Sequence, residues 1–327
     1  MRLLKKLVLA DAPSGRENAI RDIIISEAEK LGYEIKTDAL GSVIAHKAGS
    51  GKKLMLDAHM DEIGVIAAYI EDSGYIRFGA VGGLEVKELH KRRVRFKNGV
   101  VGIIAAEDEK FEKKAELSGL YIDIGARDKA AAAELVSPGD TAVFDGEFVS
   151  GNDTVISKAL DDRAGCYMLL KVMKKVKNSP NDLYFVFSVQ EEVGLRGAKT
   201  AAFEIMPDYA IAVDVTDTGD TPSCKPMDVK LGGGAAIKVM DRSVMCDPHV
   251  VAALRSLAEE YGIPYQTEIM TDGGTDAGAI ALTGGGVRAG GVSLPTRYVH
   301  SPSEMASIGD IDACISLITA ACMYKWE

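Results

Sequence analysis

The chain has 327 residues, of which 47% are hydrophobic and 26% are charged, and its formal net charge is −10. This composition is ordinary for a globular protein of one large domain or two moderate ones. The acidic balance disfavours nucleic acid and anionic membrane surfaces as main partners. The longest apolar runs, such as residues 65–70, are too short to span a bilayer, and residues 1–10 lack the long apolar segment of a signal peptide.

The first 65 residues predict an alternation of helix and strand. Residues 1–10 predict a helix. Ser14 and Glu17, three residues apart, resemble a capping box at the start of a second helix, and Gly32 supplies the stop signal of that helix. Three short strands are then predicted at residues 33–37, 42–46 and 53–58.

Residues 66–149 predict a compact, mostly β module that is inserted into the α/β domain. Short β-rich pieces alternate there with turns, and only residues 128–135 predict a helix. The β-rich pieces are residues 75–78, 94–96, 100–105, 121–124 and 141–144. An insertion of about 84 residues is too long for a connection without structure. Two domains are therefore predicted, one formed by residues 1–65 and 150–327 and the other by residues 66–149.

After residue 154 the alternation of helix and strand returns. Residues 183–189 are almost continuously apolar, which is typical of a central strand buried on both faces. Further strands are predicted at residues 209–213, 235–239, 265–269 and 287–294. Helices are predicted directly after Asp162 and at residues 248–261 and 311–324. The predicted fold class is α/β.

The five cysteines are widely spaced and odd in number, and no Cys-x-x-Cys pair occurs among them. This pattern supports neither a disulfide framework nor a thiolate zinc site. We expect buried, reduced cysteines, and therefore a cytoplasmic location.

Charged side chains follow four of the predicted apolar strands at or near the point where each strand ends. These residues are His59, Asp61, Glu191, Glu192, Asp214 and His300. In an open α/β sheet the carboxyl ends of the strands form the rim where ligands bind. Four strands that each deliver a histidine or a carboxylate to one rim predict a convergent polar site.

The residue types in this set suit metal chemistry. Neutral imidazole and carboxylate oxygen are ligands of zinc, cobalt and manganese. Two neighbouring metal ions need a carboxylate that bridges them. Asp161, directly before a predicted helix, is well placed to serve as that bridge.

Seven motifs cover nearly the whole chain. They are residues 12–17 (APSGRE), 57–64 (DAHMDEIG), 158–165 (KALDDRAG), 190–198 (QEEVGLRGA), 212–216 (AVDVT), 273–278 (GGTDAG) and 298–305 (YVHSPSEM). In this order and spacing they resemble the metallo-aminopeptidase family that assembles into tetrahedral dodecamers, which includes glutamyl, leucyl and lysyl aminopeptidases. Each motif alone is a weak signal, and the seven together are highly specific.

The resemblance implies two divalent metal ions per subunit, with zinc favoured over cobalt or manganese. His59 and Asp214 would bind one ion. Glu192 and His300 would bind the other ion, and Asp161 would bridge the two.

The resemblance also implies roles for residues that do not bind metal. Glu191 would be the general base in the hydrolysis of peptide substrates. Asp61 would hydrogen-bond the far imidazole nitrogen of His59 and so fix its tautomer. The peptide bond between Asp161 and Asp162 is predicted to be cis, since related metallopeptidases use this geometry to turn the bridging carboxylate.

The implied fold is a central mixed sheet flanked by helices, of the metallo-exopeptidase type, with the inserted β-rich domain serving dimerisation. The implied assembly is a homo-oligomer in which dimers build a dodecamer. Alternative functions are a metallo-deacetylase or carboxypeptidase with the same site, an endoglucanase, and an inactive scaffold. A single Trp and 6% aromatic residues leave few platforms for sugar stacking, and all the implied ligands are present. The preferred N-terminal residue of the substrate stays open.

Overall fold

The computed structural model describes residues 1–108, 115–222 and 224–327. Its helices are α1 (Arg2–Val8), α2 (Asn18–Glu29), α3 (Lys129–Ala133), α4 (Leu160–Lys175), α5 (Arg196–Ile205), α6 (Pro248–Glu260), α7 (Asp276–Ala281) and α8 (Ile308–Met323). Among the described residues, every helix is too short or too polar to cross a bilayer.

A large mixed sheet forms the centre of the α/β domain. Its strands are β1 (Glu34–Thr37), β2 (Val43–Lys47), β3 (Lys53–His59), β10 (Val149–Gly151), β11 (Thr154–Ser157), β12 (Asp182–Ser188), β13 (Tyr209–Thr216), β14 (Ala235–Met240), β15 (Tyr265–Ile269), β16 (Arg288–Arg297) and β17 (Glu304–Ser307). Six further strands form a separate closed barrel: β4 (Gly64–Ile70), β5 (Ile76–Val81), β6 (Arg93–Phe96), β7 (Val101–Ala106), β8 (Leu120–Asp123) and β9 (Thr141–Phe144).

Four neighbouring strands of the large sheet run parallel, in the order β12, β3, β13, β16. Every residue of β13 is buried, and β12 is buried over its last four residues. Strands covered on both faces carry continuous apolar runs. For this reason the apolar runs in the sequence predict both strands. Because the four strands are parallel, their carboxyl ends lie at one edge of the sheet.

Helices flank this sheet. α4 packs against β3, β13 and α8, while α5 and α7 pack against each other and against β12 and β13 respectively. Antiparallel strands β2 and β14 extend the sheet beyond its parallel centre, on opposite ends of that centre. The predicted fold class, a mixed α/β sheet flanked by helices, is confirmed.

The barrel has a hydrophobic core of its own, which includes Val65, Ile76, Val94, Ile104 and Ile122. Its strands alternate buried and more exposed positions, as expected where one face of each strand points into a barrel. The predicted β-rich insertion is therefore a compact unit with its own packing.

Candidate metal centre

The edge where the parallel strands end gathers the side chains that the sequence analysis selects. His59 is the last residue of β3, Glu191 and Glu192 follow β12, and His300 follows β16. The sequence predicts that Asp214 closes its strand. In the structure Asp214 lies inside β13, because Asp214–Thr216 continue the parallel pairing with β16. All five predicted ligands and Glu191 line one cavity of about 660 Å³.

Asp161 lies between the two histidines. Its Oδ1 atom is 3.0 Å from Nε2 of His59, and its Oδ2 atom is 3.2 Å from Nε2 of His300. Nε2 of His300 is also 3.2 Å from Oε1 of Glu192. The two oxygens of one carboxylate therefore face two different sets of neighbours.

Two three-residue groups meet the spacing expected of metal ligands, and they share Asp161. One consists of His59, Asp161 and Asp214, and the other of Asp161, Glu192 and His300; within each, the ligand atoms lie within 4.8 Å of one another. A third group, with the same spacing, combines His59 with Glu191 and Glu192. The first two groups match the ligand sets that the family resemblance implies.

An irregular turn at the start of α4 presents Asp161. Ala159 adopts a left-handed conformation with φ of 53°, and the peptide bond between Asp161 and Asp162 is cis. The predicted cis bond is confirmed. His300 is also left-handed, with φ of 62°. Non-glycine residues rarely adopt this conformation, and they are enriched at functional sites.

Asp61 is fully buried and anchors the segment that carries the two glutamates. Its Oδ1 accepts a hydrogen bond from the backbone N–H of Glu191 at 3.0 Å, and its Oδ2 accepts one from that of Glu192 at 3.2 Å. Nδ1 of His59 lies 3.4 Å from Oδ1 of Asp61, which is longer than an ordinary hydrogen bond. Asp61 therefore holds the backbone of the two glutamates and also faces the imidazole of His59.

The predicted capping box at Ser14 is wrong. The Ser14 hydroxyl donates to Oδ2 of Asp61 at 2.6 Å, and the Glu17 carboxylate accepts from the N–H of Gly15 at 2.6 Å. Helix α2 has no side-chain cap. The serine hydroxyl therefore binds the buried carboxylate of Asp61, which is distant in the sequence, and not the N-terminus of the helix. Local sequence spacing cannot predict such a partner.

The electrostatics of the site show an excess of carboxylates. Burial and nearby carboxylates raise the pKa of Glu191 and of Asp214 well above the ordinary range. Burial also opposes ionisation of Asp161, but hydrogen bonds from the two histidines outweigh it and lower the pKa of Asp161. Burial alone would lower the pKa of His300, but its carboxylate neighbours raise that pKa to about 12. Divalent cations would supply the positive charge that this cluster needs.

Two buried aspartates contact the hydroxyl of Ser188, and the sequence motifs predict no role for them. Oγ of Ser188 is 3.2 Å from Oδ2 of Asp57 and 2.7 Å from Oδ2 of Asp276. Burial and the charge of Asp276 raise the pKa of Asp57 well above its usual range. Both aspartates occur in motifs noted in the sequence, at residues 57–64 and 273–278, so their position in these motifs is the only signal.

Glu304 is a second residue that the sequence analysis misses, although it lies four residues after His300 in the motif at residues 298–305. It is 2% exposed, and its carboxylate accepts hydrogen bonds from the backbone of two predicted ligands. Burial, together with the nearby charge of Asp161, raises the pKa of Glu304 well above its usual range.

The sheet, the barrel and the cluster of histidines and carboxylates define an α/β protein with a candidate metal centre. The chain belongs to the M42 glutamyl aminopeptidase family, whose model matches residues 41–317. The family predicted from the seven motifs is confirmed.

Individual relatives match over nearly the full length. A protein of Acetivibrio thermocellus, provisionally named an aminopeptidase, is 55% identical over 321 residues, which are 98% of this chain and 97% of that protein. The lysyl aminopeptidase of Pyrococcus furiosus is 34% identical over 336 residues, covering 97% of this chain and 95% of that protein. The TET1 peptidase of Pyrococcus horikoshii, which can assemble into a tetrahedron or a large octahedral shell, superposes with a TM-score of 0.88 at 34% identity, covering 98% of each chain.

Proposed function

We propose that this chain is a metal-dependent aminopeptidase that removes N-terminal residues from peptides and that uses two divalent cations. The observation that carries the proposal is the position of Asp161, whose two oxygens face different histidines at 3.0 and 3.2 Å. A carboxylate placed in this way belongs to both three-residue groups at once. This is the arrangement that a pair of bridged metal ions requires.

The donor set fits divalent metal ions. His59, Asp161 and Asp214 would hold one cation, and Asp161, Glu192 and His300 would hold the other. Imidazole and carboxylate ligands suit zinc first, and cobalt or manganese as alternatives. Bound there, the cations would supply a water molecule of lowered pKa and a polarised substrate carbonyl.

Glu191 is the residue we assign as general base. Its side chain is 11% exposed and lines the cavity, and its Oε2 lies 4.0 Å from Nε2 of His59. From this position its carboxylate takes a proton from the attacking water and returns that proton to the nitrogen of the leaving amine. Burial and neighbouring carboxylates raise the pKa of Glu191 well above its usual range.

The competing functions account less well for this site. A glycosidase works with a pair of carboxylates and has no use for two histidines around a shared aspartate. A metallo-deacetylase or carboxypeptidase would use the same ligands, so substrate tests must separate them from an aminopeptidase. Membership of the aminopeptidase family favours the aminopeptidase.

We expect the purified protein, supplied in turn with zinc, cobalt and manganese, to release nitroaniline from aminoacyl-nitroanilides. A chelator should abolish this activity and leave the circular-dichroism spectrum unchanged, since a core of this size does not depend on metal for its fold. N-acetylated versions of the same nitroanilides are the matched control and should not react. Turnover of N-acetyl amino acids, of N-terminally blocked peptides with a free C-terminus, or of carboxymethyl-cellulose, in place of the free-amine substrates, would contradict the proposal.

We further propose that the chain forms a homo-oligomer, built from dimers through the barrel and extending to a dodecamer. No group of candidate metal ligands among the described residues includes a barrel residue. The barrel exposes Tyr69, Val101 and Ile103, which are 53%, 46% and 49% exposed. Val101 and Ile103 alternate along β7 and therefore point to the same outer side.

Ile103→Glu should lower the molar mass measured by light scattering, because a charge placed in an apolar interface is costly to bury. Leu40→Glu is the matched control, since Leu40 is 43% exposed on the α/β domain, and it should leave the mass unchanged. A wild-type chain that is active as a stable monomer would contradict the proposed assembly.

A further inference from the structure

We propose that Glu304 is a positioning residue for one half of the metal centre. It would preform the position made by Asp161, Glu192 and His300 by holding the backbone of two of these ligands, without binding metal itself. The inference rests on the proposed two-metal site and assigns a residue that orients it.

The contacts of Glu304 are directed at the two ligands. Its Oε2 accepts a hydrogen bond from the backbone N–H of Asp161 at 3.1 Å, and its Oε1 accepts one from that of His300 at 2.9 Å. Glu304 is 2% exposed, and its bond from Asp161 is buried while its bond from His300 is partly buried. Each oxygen is directed at a backbone amide, and the ligand groups among the described residues do not include Glu304.

The topology explains how one side chain reaches both segments. Glu304 is the first residue of β17, which pairs antiparallel with β11 on one side and with β16 on the other. β11 leads through three residues to Asp161, and β16 leads through two residues to His300. Glu304 therefore lies where both neighbouring strands turn toward the cluster.

Both held segments have backbone conformations that need support. His300 is left-handed with φ of 62°, and Ala159, two residues before Asp161, is left-handed with φ of 53°. Such conformations persist only where the surrounding structure enforces them. A buried backbone N–H also needs an acceptor, and Glu304 is the acceptor for Asp161 and for His300. Without Glu304 these segments would be free to shift, and the 3.2 Å spacing between Asp161 and His300 would change with them.

A similar arrangement holds the two adjacent glutamates. Asp61 uses its two oxygens to accept the backbone N–H groups of Glu191 and Glu192, at 3.0 and 3.2 Å. Two buried carboxylates thus each hold a pair of site residues through the main chain. Partners that orient metal ligands in this way typically contribute 10–100-fold to metal affinity.

The test is zinc binding by the full-length protein, measured by calorimetry and by competition with a chelator. Glu304→Ala should weaken the zinc ion held by Asp161, Glu192 and His300 by about 10–100-fold, and should weaken the other ion, which shares only Asp161 with that group, by a smaller factor. Glu304→Gln keeps one acceptor oxygen and should weaken the same ion by a smaller factor, which provides a second reading if the alanine variant folds poorly.

Asp310→Asn is the matched control. Asp310 is 1% exposed and accepts the backbone N–H groups of Gly232 and Gly234, both at 2.7 Å, and none of these three residues lines the cavity of the site. It should lower thermal stability and leave both zinc affinities unchanged. This control separates loss of a buried double acceptor from loss of a positioned ligand.

The affected ion is identified by combining variants. Adding Glu304→Ala to His300→Ala should change zinc binding little further, whereas adding it to His59→Ala should still weaken the remaining ion. Wild-type affinities in Glu304→Ala, or equal weakening of both ions, would overturn the inference. A wild-type chain that binds two zinc ions but hydrolyses no peptide would overturn the proposed function alone.

Discussion

Glu191→Gln should lower kcat by about 10²–10⁴-fold while the protein keeps its full complement of bound metal. Glutamine preserves the size of the side chain and its capacity for hydrogen bonding. It cannot accept a proton at neutral pH and return it to the leaving amine. Because the loss concerns proton transfer rather than substrate binding, KM should change comparatively little. Steady-state kinetics together with metal analysis of the same sample provide the measurement.

Glu192→Gln is the matched control for this result. The two glutamates are adjacent, and Asp61 holds the backbone of both. Their side chains differ in position, since Oε1 of Glu192 lies 3.2 Å from Nε2 of His300, in the proposed second ligand group. Glu192→Gln should therefore lose metal as well as rate. If Glu191→Gln kept most of its activity, or lost metal as its neighbour does, the assignment of Glu191 as the base would be wrong.

The centre of the fold could be predicted because burial on both faces leaves a direct trace in sequence. Strands β12 and β13 carry long apolar runs, and their predicted bounds agree with the observed ones within a few residues. No pattern in the sequence predicts the short strands β10, β11 and β17. The pairing of β11 with β17 joins segments that are distant in the sequence, and no local pattern reports such a pairing.

The site could be predicted to the extent that motifs and strand ends reveal it. His59 and His300 follow apolar strands, so their convergence at one edge of a parallel sheet is a matter of topology. The backbone contacts of Glu304 and the hydroxyl contact of Ser14 depend on segments that are distant in sequence. Such partners are chosen by tertiary packing, and no local pattern reports them.

Asp161 is the residue that the two proposed ligand groups share. The sequence alone supplies five ligands and suggests Asp161 as their bridge, but it does not place the individual oxygens. In the structure, Oδ1 and Oδ2 of Asp161 are divided between His59 and His300. We therefore expect a variant at Asp161 to weaken the binding of both metal ions, and a variant at either histidine to weaken the binding of only one.

Asp161→Ala should weaken both metal ions and reduce peptidase activity to background. It removes one ligand atom from both proposed metal positions, whereas His59→Ala and His300→Ala each remove a ligand from only one of these two positions. The loss of affinity for each ion should exceed the 10–100-fold that is typical of removing a residue that only orients a ligand. Zinc titration of the three variants, with stoichiometry followed at increasing chelator concentration, distinguishes these outcomes.

His249→Ala is the control for the histidine variants, because His249 lies on α6 and packs near Tyr209 and Trp326, outside the cluster. It should retain two zinc ions and full activity. If both ions share Asp161, His59→Ala and His300→Ala should each keep one tightly bound ion, and Asp161→Ala should keep none. If Asp161→Ala still bound one ion with wild-type affinity, Asp161 would serve a single metal position, and the bridge proposed from its two oxygens would have to be abandoned.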